Sequence, residues 1–138
     1  MLYVTRVAGP GSVPTISRAG GRHALHATGV GKALLLAQPE SWLDEYLRAP
    51  LVKETTRTII DPDALRQDLD EARDRGYSLT SGEMSLGSWS LGMALPGVAG
   101  LPAAAVSIAS HHRHRDIDRY ARLLRQAIAG IVADLQRS

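Results

Sequence analysis

The stretch HATGVGKALLL (26–36) sets two glycines and a lysine ahead of an apolar run, as a phosphate-cradling loop does where it feeds a helix. Such a loop, Gly-x-x-x-x-Gly-Lys-Ser/Thr, needs a glycine five residues before Gly31 and a magnesium-holding hydroxyl after Lys32. His26 and Ala33 stand at those positions, and no hydrophobic strand leads in, so the nucleotide reading fails. The underlying physics survives the failed match. Gly29 and Gly31 permit close backbone approach, and the first N–H groups of a helix starting near Thr28 carry the positive end of its dipole, a seat for a carboxylate. The same residues equally suit a glycine-softened helix start packed against a core. Lys32 is expected to point to solvent.

A second group of polar residues lies on two apolar segments. In SWSLGMAL (88–95) one face is Trp89, Leu91, Met93 and Leu95, and the other is Ser88, Ser90, Gly92 and Ala94. AAAVSIAS (103–110) divides similarly, Val106 and Ile108 opposing Ala105, Ser107 and Ala109. Each strand so has one bulky face and one small, weakly polar face. Serine hydroxyls over small neighbours can floor a ligand pocket, or the small face can simply admit a closely packed helix. Ser88, Ser90 and Ser107 lack a nucleophile elbow, and no histidine or acid stands at a diagnostic spacing, so no catalytic set assembles. Glu83, just before the charge-free strands, can orient a ligand or brace a loop. His112 and His114 in HHRHR (111–115) are spaced for a shared metal on an extended segment, but without a further ligand nearby they read as an exposed basic turn. His23 and His26 are three apart, but they precede the helix start, which favours a non-metal reading over a shared metal. No metal or other cofactor is expected.

The elements that must position these groups follow from periodicity and punctuation. Leu2, Val4 and Val7 suggest a short opening strand, Gly9-Pro10-Gly11 a turn, and VPTIS (13–17) a second strand. Thr28 to Ala37 reads as a helix ended before Pro39, and ESWLDEYLR (40–48) as another, with Trp42 or Leu43, Tyr46 and Leu47 inward. KETTRTII (53–60) is β-branched and expected to be extended. Asp61-Pro62 opens a helix through Leu65, Leu69 and Ala72 that Gly76 ends in the left-handed region. YSLTS (77–81) and the two longer strands follow, and Asp116 caps a last helix with an apolar stripe through Ile117, Tyr120, Leu124, Ala127, Ile131 and Leu135. Short strands in hairpin order with helices between them give an α+β fold with a largely antiparallel sheet.

The totals agree with one domain over residues 1–138. Net charge is only +2. Residues 40–83 hold eleven acids against six bases, 84–110 hold no charged residue, and the last 28 return to a surplus of three bases. Fourteen of the sixteen basic residues are Arg, which reads as GC-rich coding bias rather than a nucleic-acid footprint, and with no Phe the chain lacks a set of base-stacking platforms. The absence of cysteine excludes disulfides and thiolate sites. No window approaches the ~20 apolar residues of a membrane span, and MLYVTRVAGPG lacks signal-peptide order, so a soluble, cytoplasmic protein is expected.

The order of ALHATGVGKALLLAQ (24–38), TRTIIDPDALRQDLDEARDRGYSLTSGEMSLGSWSLGMALPG (56–97), AAAVSIAS and a C-terminal helix resembles the effector-binding domain of IclR-type bacterial transcriptional regulators, and YVTRVAGP resembles that family's early strand and turn. The resemblance covers nearly the whole chain. It implies an antiparallel sheet flanked by helices, related to GAF and profilin-like folds, and no enzyme activity. It also implies a small organic acid as effector, a homodimer or homotetramer, and contact with DNA only through an N-terminal winged helix-turn-helix that has no counterpart here. By the same resemblance Thr28, Gly29, Val30 and Gly31 border the effector, Ser88, Ser90 and Ser107 face it, and Leu35, Leu86 and Met93 line its apolar side, with Glu83 near them. Trp89 in place of the family's smaller run, and PGVAGLP without its Asp-rich turn, are departures that bear on strand register. The alternatives are a non-sensing oligomerisation module and, third, a small hydrolase-like enzyme.

Overall fold

Three helix starts are written by single side chains. Thr28 accepts from the Gly31 N–H at the head of α1 (Gly29–Leu36), Asp61 from Ala64 at α3 (Pro62–Arg75), and Asp116 from Arg119 at α4 (Ile117–Arg137). Gly76 ends α3 at φ 89°, the left-handed conformation that glycine adopts without a Cβ penalty. Between α1 and α3, α2 (Glu40–Arg48) starts at Pro39 without a side-chain cap and turns Leu43 and Leu47 inward, while Trp42 stays partly exposed and stacks on Tyr46. The computed structural model describes Val4, Thr5 and residues 7–9, 23–111 and 116–138. The expected strand 13–17 and most of HHRHR lie outside these residues, and the described part of the opening segment forms no strand.

β1 (Ser78–Ser81), β2 (Ser88–Ala94) and β3 (Ala105–His111) form an antiparallel sheet in the order β1-β2-β3. The register pairs Ser78 with Gly92, Thr80 with Ser90, Gly92 with Ser107 and Ser90 with Ala109. Because side chains alternate across a sheet, these small residues share one face, and Leu79, Trp89, Leu91, Met93, Val106 and Ile108 share the other. The bulky face meets α4, where Ala121, Leu124 and Ile128 close a core around Trp89, Leu91 and Met93. Trp89 lies fully buried, its indole N–H donating to the His111 carbonyl at 2.9 Å and its ring tilted against Tyr120. The small face meets α1. A second core of Leu35, Leu43, Leu47, Leu65 and Leu69 joins α1, α2 and α3.

One expected strand is absent. Residues 53–60 run as turn and coil because the Thr58 hydroxyl takes the N–H groups of Glu54 and Thr55, and both threonines reach across to the β1–β2 turn instead of joining a ladder.

Candidate functional site

The first turn of α1 lies directly on the small face of the sheet. The Gly29 N–H donates to Ser90 Oγ at 2.9 Å, Ser90 Oγ lies 2.5 Å from Thr80 Oγ1, and Ser78 Oγ donates to the Gly29 carbonyl at 2.5 Å. Gly31 donates to Thr28 Oγ1, and Lys32 N–H closes the first helical turn on the Thr28 carbonyl at 2.9 Å. The Val30 N–H is left as the first-turn amide with no acceptor among the described residues. The glycines are steric requirements. A Cβ on Gly31 would stand 2.3 Å from the Leu25 carbonyl oxygen, and one on Gly29 would stand 2.7 Å from Ser90 Oγ.

Over β1 and β2 the helix fills the small face, as the packing reading of that face expects. Over β3 the face is less covered: Ala109 is exposed and Ser107 half-buried, and the Ser107 hydroxyl has no partner among the described residues. The structure thus brings together Thr28, Gly29, Val30, Gly31, Ser90 and, across the sheet from Gly92, Ser107. Thr80 and Ser78 join them. Neither was singled out from sequence, although both fall at small-face positions of the predicted strand YSLTS.

The other expected site residues stand apart for identifiable reasons. Leu35 faces the helical core with Leu65 and Leu69. Met93 alternates to the α4 side of the sheet, and Leu86 projects from the β1–β2 turn at 61% exposure. The Ser88 hydroxyl donates back to Ser85 in that same turn. Glu83 is buried with both oxygens engaged, one on Lys32 and the other on the Ser81 N–H.

Lys32 corrects the expectation of a solvent-facing side chain. It is completely buried, its Nζ 2.6 Å from Asp68 Oδ2 on α3 and 2.7 Å from Glu83 Oε1. Burying the ammonium requires such partners, and they are 36 and 51 residues away in sequence. Burial pushes the Glu83 carboxyl above its ordinary range, opposed by Lys32 and the Ser81 N–H and reinforced by Asp68. A carboxyl whose pKa is raised by folding favours the folded state below its unfolded pKa and loses that contribution as pH rises through the folded value. Parent stability measured relative to Glu83→Gln is therefore expected to fall as pH is raised from about 4 towards neutrality, which urea unfolding across that range checks; a rise instead would contradict the burial effect.

His26 is likewise buried, with its ring nitrogens 2.8 Å from the Tyr46 hydroxyl and the Val52 carbonyl, so Nε2 carries the proton and both positions serve the fold. Tyr46, desolvated against the same wall, has its hydroxyl pKa raised. The described residues include no group of three or more metal-binding side chains and no helix long and apolar enough to cross a membrane.

A cavity of about 670 Å³ lies between the C-terminal ends of α1 and α3, the end of β2 and the second half of α4. Among the expected residues it takes only Met93. Its walls are chiefly apolar but include Arg73, Arg125 and Ser78, and the first turn of α1 is not among them.

An antiparallel sheet with helices on both faces defines an α+β domain. The chain belongs to the IclR family: residues 1–133 match the bacterial transcriptional regulator IclR C-terminal domain. It is 37% identical to the transcriptional repressor AllR of Klebsiella pneumoniae over 102 residues, 73% of this chain and 38% of that protein. The crystal structure of the Thermotoga maritima IclR superposes with a TM-score of 0.85 at 33% identity, covering 94% of this chain and 54% of that one. An IclR homologue from Microbacterium hydrocarbonoxydans, crystallised with 4-hydroxybenzoate, superposes with a TM-score of 0.82 at 28% identity, covering 96% and 54%. This chain thus spans 38% of the repressor and 54% of each of these regulators. Such relatives are named as transcriptional regulators, not as enzymes.

Proposed function

We propose that this domain senses a small organic acid and that, in the intact regulator, occupancy shifts the affinity for DNA. The observation that carries the reading is the α1 first turn held at 2.9 Å on Ser90, with no acceptor for the Val30 amide and no partner for the half-buried Ser107 hydroxyl among the described residues. A carboxylate at this edge meets the positive end of the helix dipole and donors fixed before it arrives. Each charge-assisted hydrogen bond contributes roughly 1.5 to 3 kcal/mol, so the open donors supply the polar part of the affinity and apolar contacts with the rest of the acid supply the remainder. Ser90 already accepts from Gly29, which leaves its own proton for Thr80 or for the ligand. The solved relative holding 4-hydroxybenzoate supports a carboxylate as the class. Preferential binding to one conformation of the whole protein then changes DNA affinity by the same coupling free energy. DNA contact belongs to an N-terminal domain outside this chain, and partly exposed apolar side chains such as Trp42, Leu123 and Ile131 suit assembly as a homodimer or homotetramer.

A thermal-shift panel of 4-hydroxybenzoate, other benzoates and two- to four-carbon keto acids tests the sensing role. At least one acid is expected to raise the melting temperature, and Ser107→Ala and Ser90→Ala are each expected to weaken that response. An unchanged melting temperature across the panel at millimolar acid would instead favour a purely oligomeric module.

A further inference from the structure

Two of the first three residues of α1 are glycines, so the turn that presents the amides has almost no side chain with which to anchor itself. An isolated helix of eight residues is also far too short to be stable alone. The next residue is Lys32, and three separate elements meet at its ammonium. Asp68 reaches it from α3, and Glu83 from the turn after β1. Through the carbonyl of Glu83, which accepts from Thr58 Oγ1 at 2.6 Å, the segment before α3 is tied in as well. Lys32's own amide makes the first backbone hydrogen bond of α1, to the Thr28 carbonyl. Lys32 is thus joined to the first turn of α1 through its backbone and to α3 and the β1–β2 turn through its side chain.

We propose that Lys32, clamped by Asp68 and Glu83, is the positioning residue of the α1 amide edge, fixing where Gly29, Val30 and Gly31 sit over Ser90 and beside Ser107. The consequence for acid binding rests on the proposed function; the positioning itself does not. Lys32 never touches the ligand. Its pairs set the distance of α1 from the sheet, while Leu35, three residues on, anchors the far end of the helix in the leucine core.

The test compares the parent with the triple variant Lys32→Met, Asp68→Asn, Glu83→Gln, which removes all three charges together so that none is left buried alone. Amide hydrogen exchange, urea unfolding and calorimetric titration with 4-hydroxybenzoate are measured on each. The unfolding midpoint is expected to stay near the parent's, while Gly29 and Gly31 exchange roughly tenfold faster or more and Leu91 in the central strand keeps its protection. Affinity for 4-hydroxybenzoate is expected to fall by about tenfold or more. Unchanged exchange at Gly29 and Gly31 would overturn the proposal. Should the triple variant fail to fold, Asp68→Asn alone removes one arm of the clamp from a partly exposed side chain, and Gly29 exchange must still rise; no rise overturns it equally. Faster exchange in a protein whose parent binds no acid would sustain the positioning role while removing the sensing one.

Discussion

Replacing Gly92 by alanine is expected to destabilise the domain by about 3 kcal/mol or more, at the upper end of what overpacking costs. The added Cβ would lie 2.2 Å from the Gly29 carbonyl oxygen, 2.4 Å from its carbon and 2.9 Å from Ser78 Oγ. Two of those three atoms are backbone, so no rotamer change relieves the clash and α1 has to lift from the sheet. The Gly29–Ser90 and Ser78–Gly29 hydrogen bonds would go with it. Urea unfolding of Gly92→Ala beside Gly97→Ala makes the measurement, because a Cβ on Gly97 meets nothing within 4 Å. The first variant is expected to lose its midpoint and its response to acids together, and the second to match the parent. Equal midpoints would mean that α1 does not rest on β2 as closely as described.

Lys32→Met carries the second large effect. Alone it leaves the carboxylates of Asp68 and Glu83 facing each other without their cation, one with 21% and the other with 9% of its side chain exposed. Removing one partner of a buried ion pair typically costs 3–5 kcal/mol, and the partial exposure of Asp68 argues for the lower end, about 3 kcal/mol. Adding Asp68→Asn and Glu83→Gln is expected to return most of that loss, because the cost lies in the stranded charges more than in the missing attraction. If the single variant unfolds at the parent's midpoint, the ammonium is not buried. A triple variant no better than the single would place the cost in lost packing instead.

The contrast between Lys32 and the helix caps shows how far the sequence could be read. Asp61, Gly76, Asp116 and Thr28 act on backbone groups within a few residues, so their positions alone announced three helix starts and one end. Alternation likewise sorted Trp89, Leu91 and Met93 from Ser90 and Gly92 before any sheet was in view. What escaped depended on distant pairings. Lys32 looked like a surface charge because Asp68 and Glu83 stand far along the chain. Residues 53–60 carry the β-branched pattern of a strand, but Thr55 and Thr58 bond the backbone and the facing turn instead. Thr80 and Ser78 passed unmarked since only the register with Ser90 and Gly92 shows that they meet α1. Leu35, by contrast, was placed in the correct helix but on a face that only the packing of α2 and α3 could settle.

HATGVGKALLL therefore carries helix-terminal amides like those of a phosphate loop but gives its lysine a different task, a buried ion pair. The carboxylate we propose takes the Val30 N–H and the Ser107 hydroxyl, because the Gly29 and Gly31 amides already donate to Ser90 and Thr28. Amide chemical shifts followed through a titration with 4-hydroxybenzoate test that placement most directly. Saturable shifts are expected at Val30 and Ser107 and at the adjoining Gly29 and Gly31, with Ala129 and Val132 of the 670 Å³ cavity unmoved. Saturable shifts confined to that cavity, or none at the α1 edge for any acid that stabilises the protein, would contradict it.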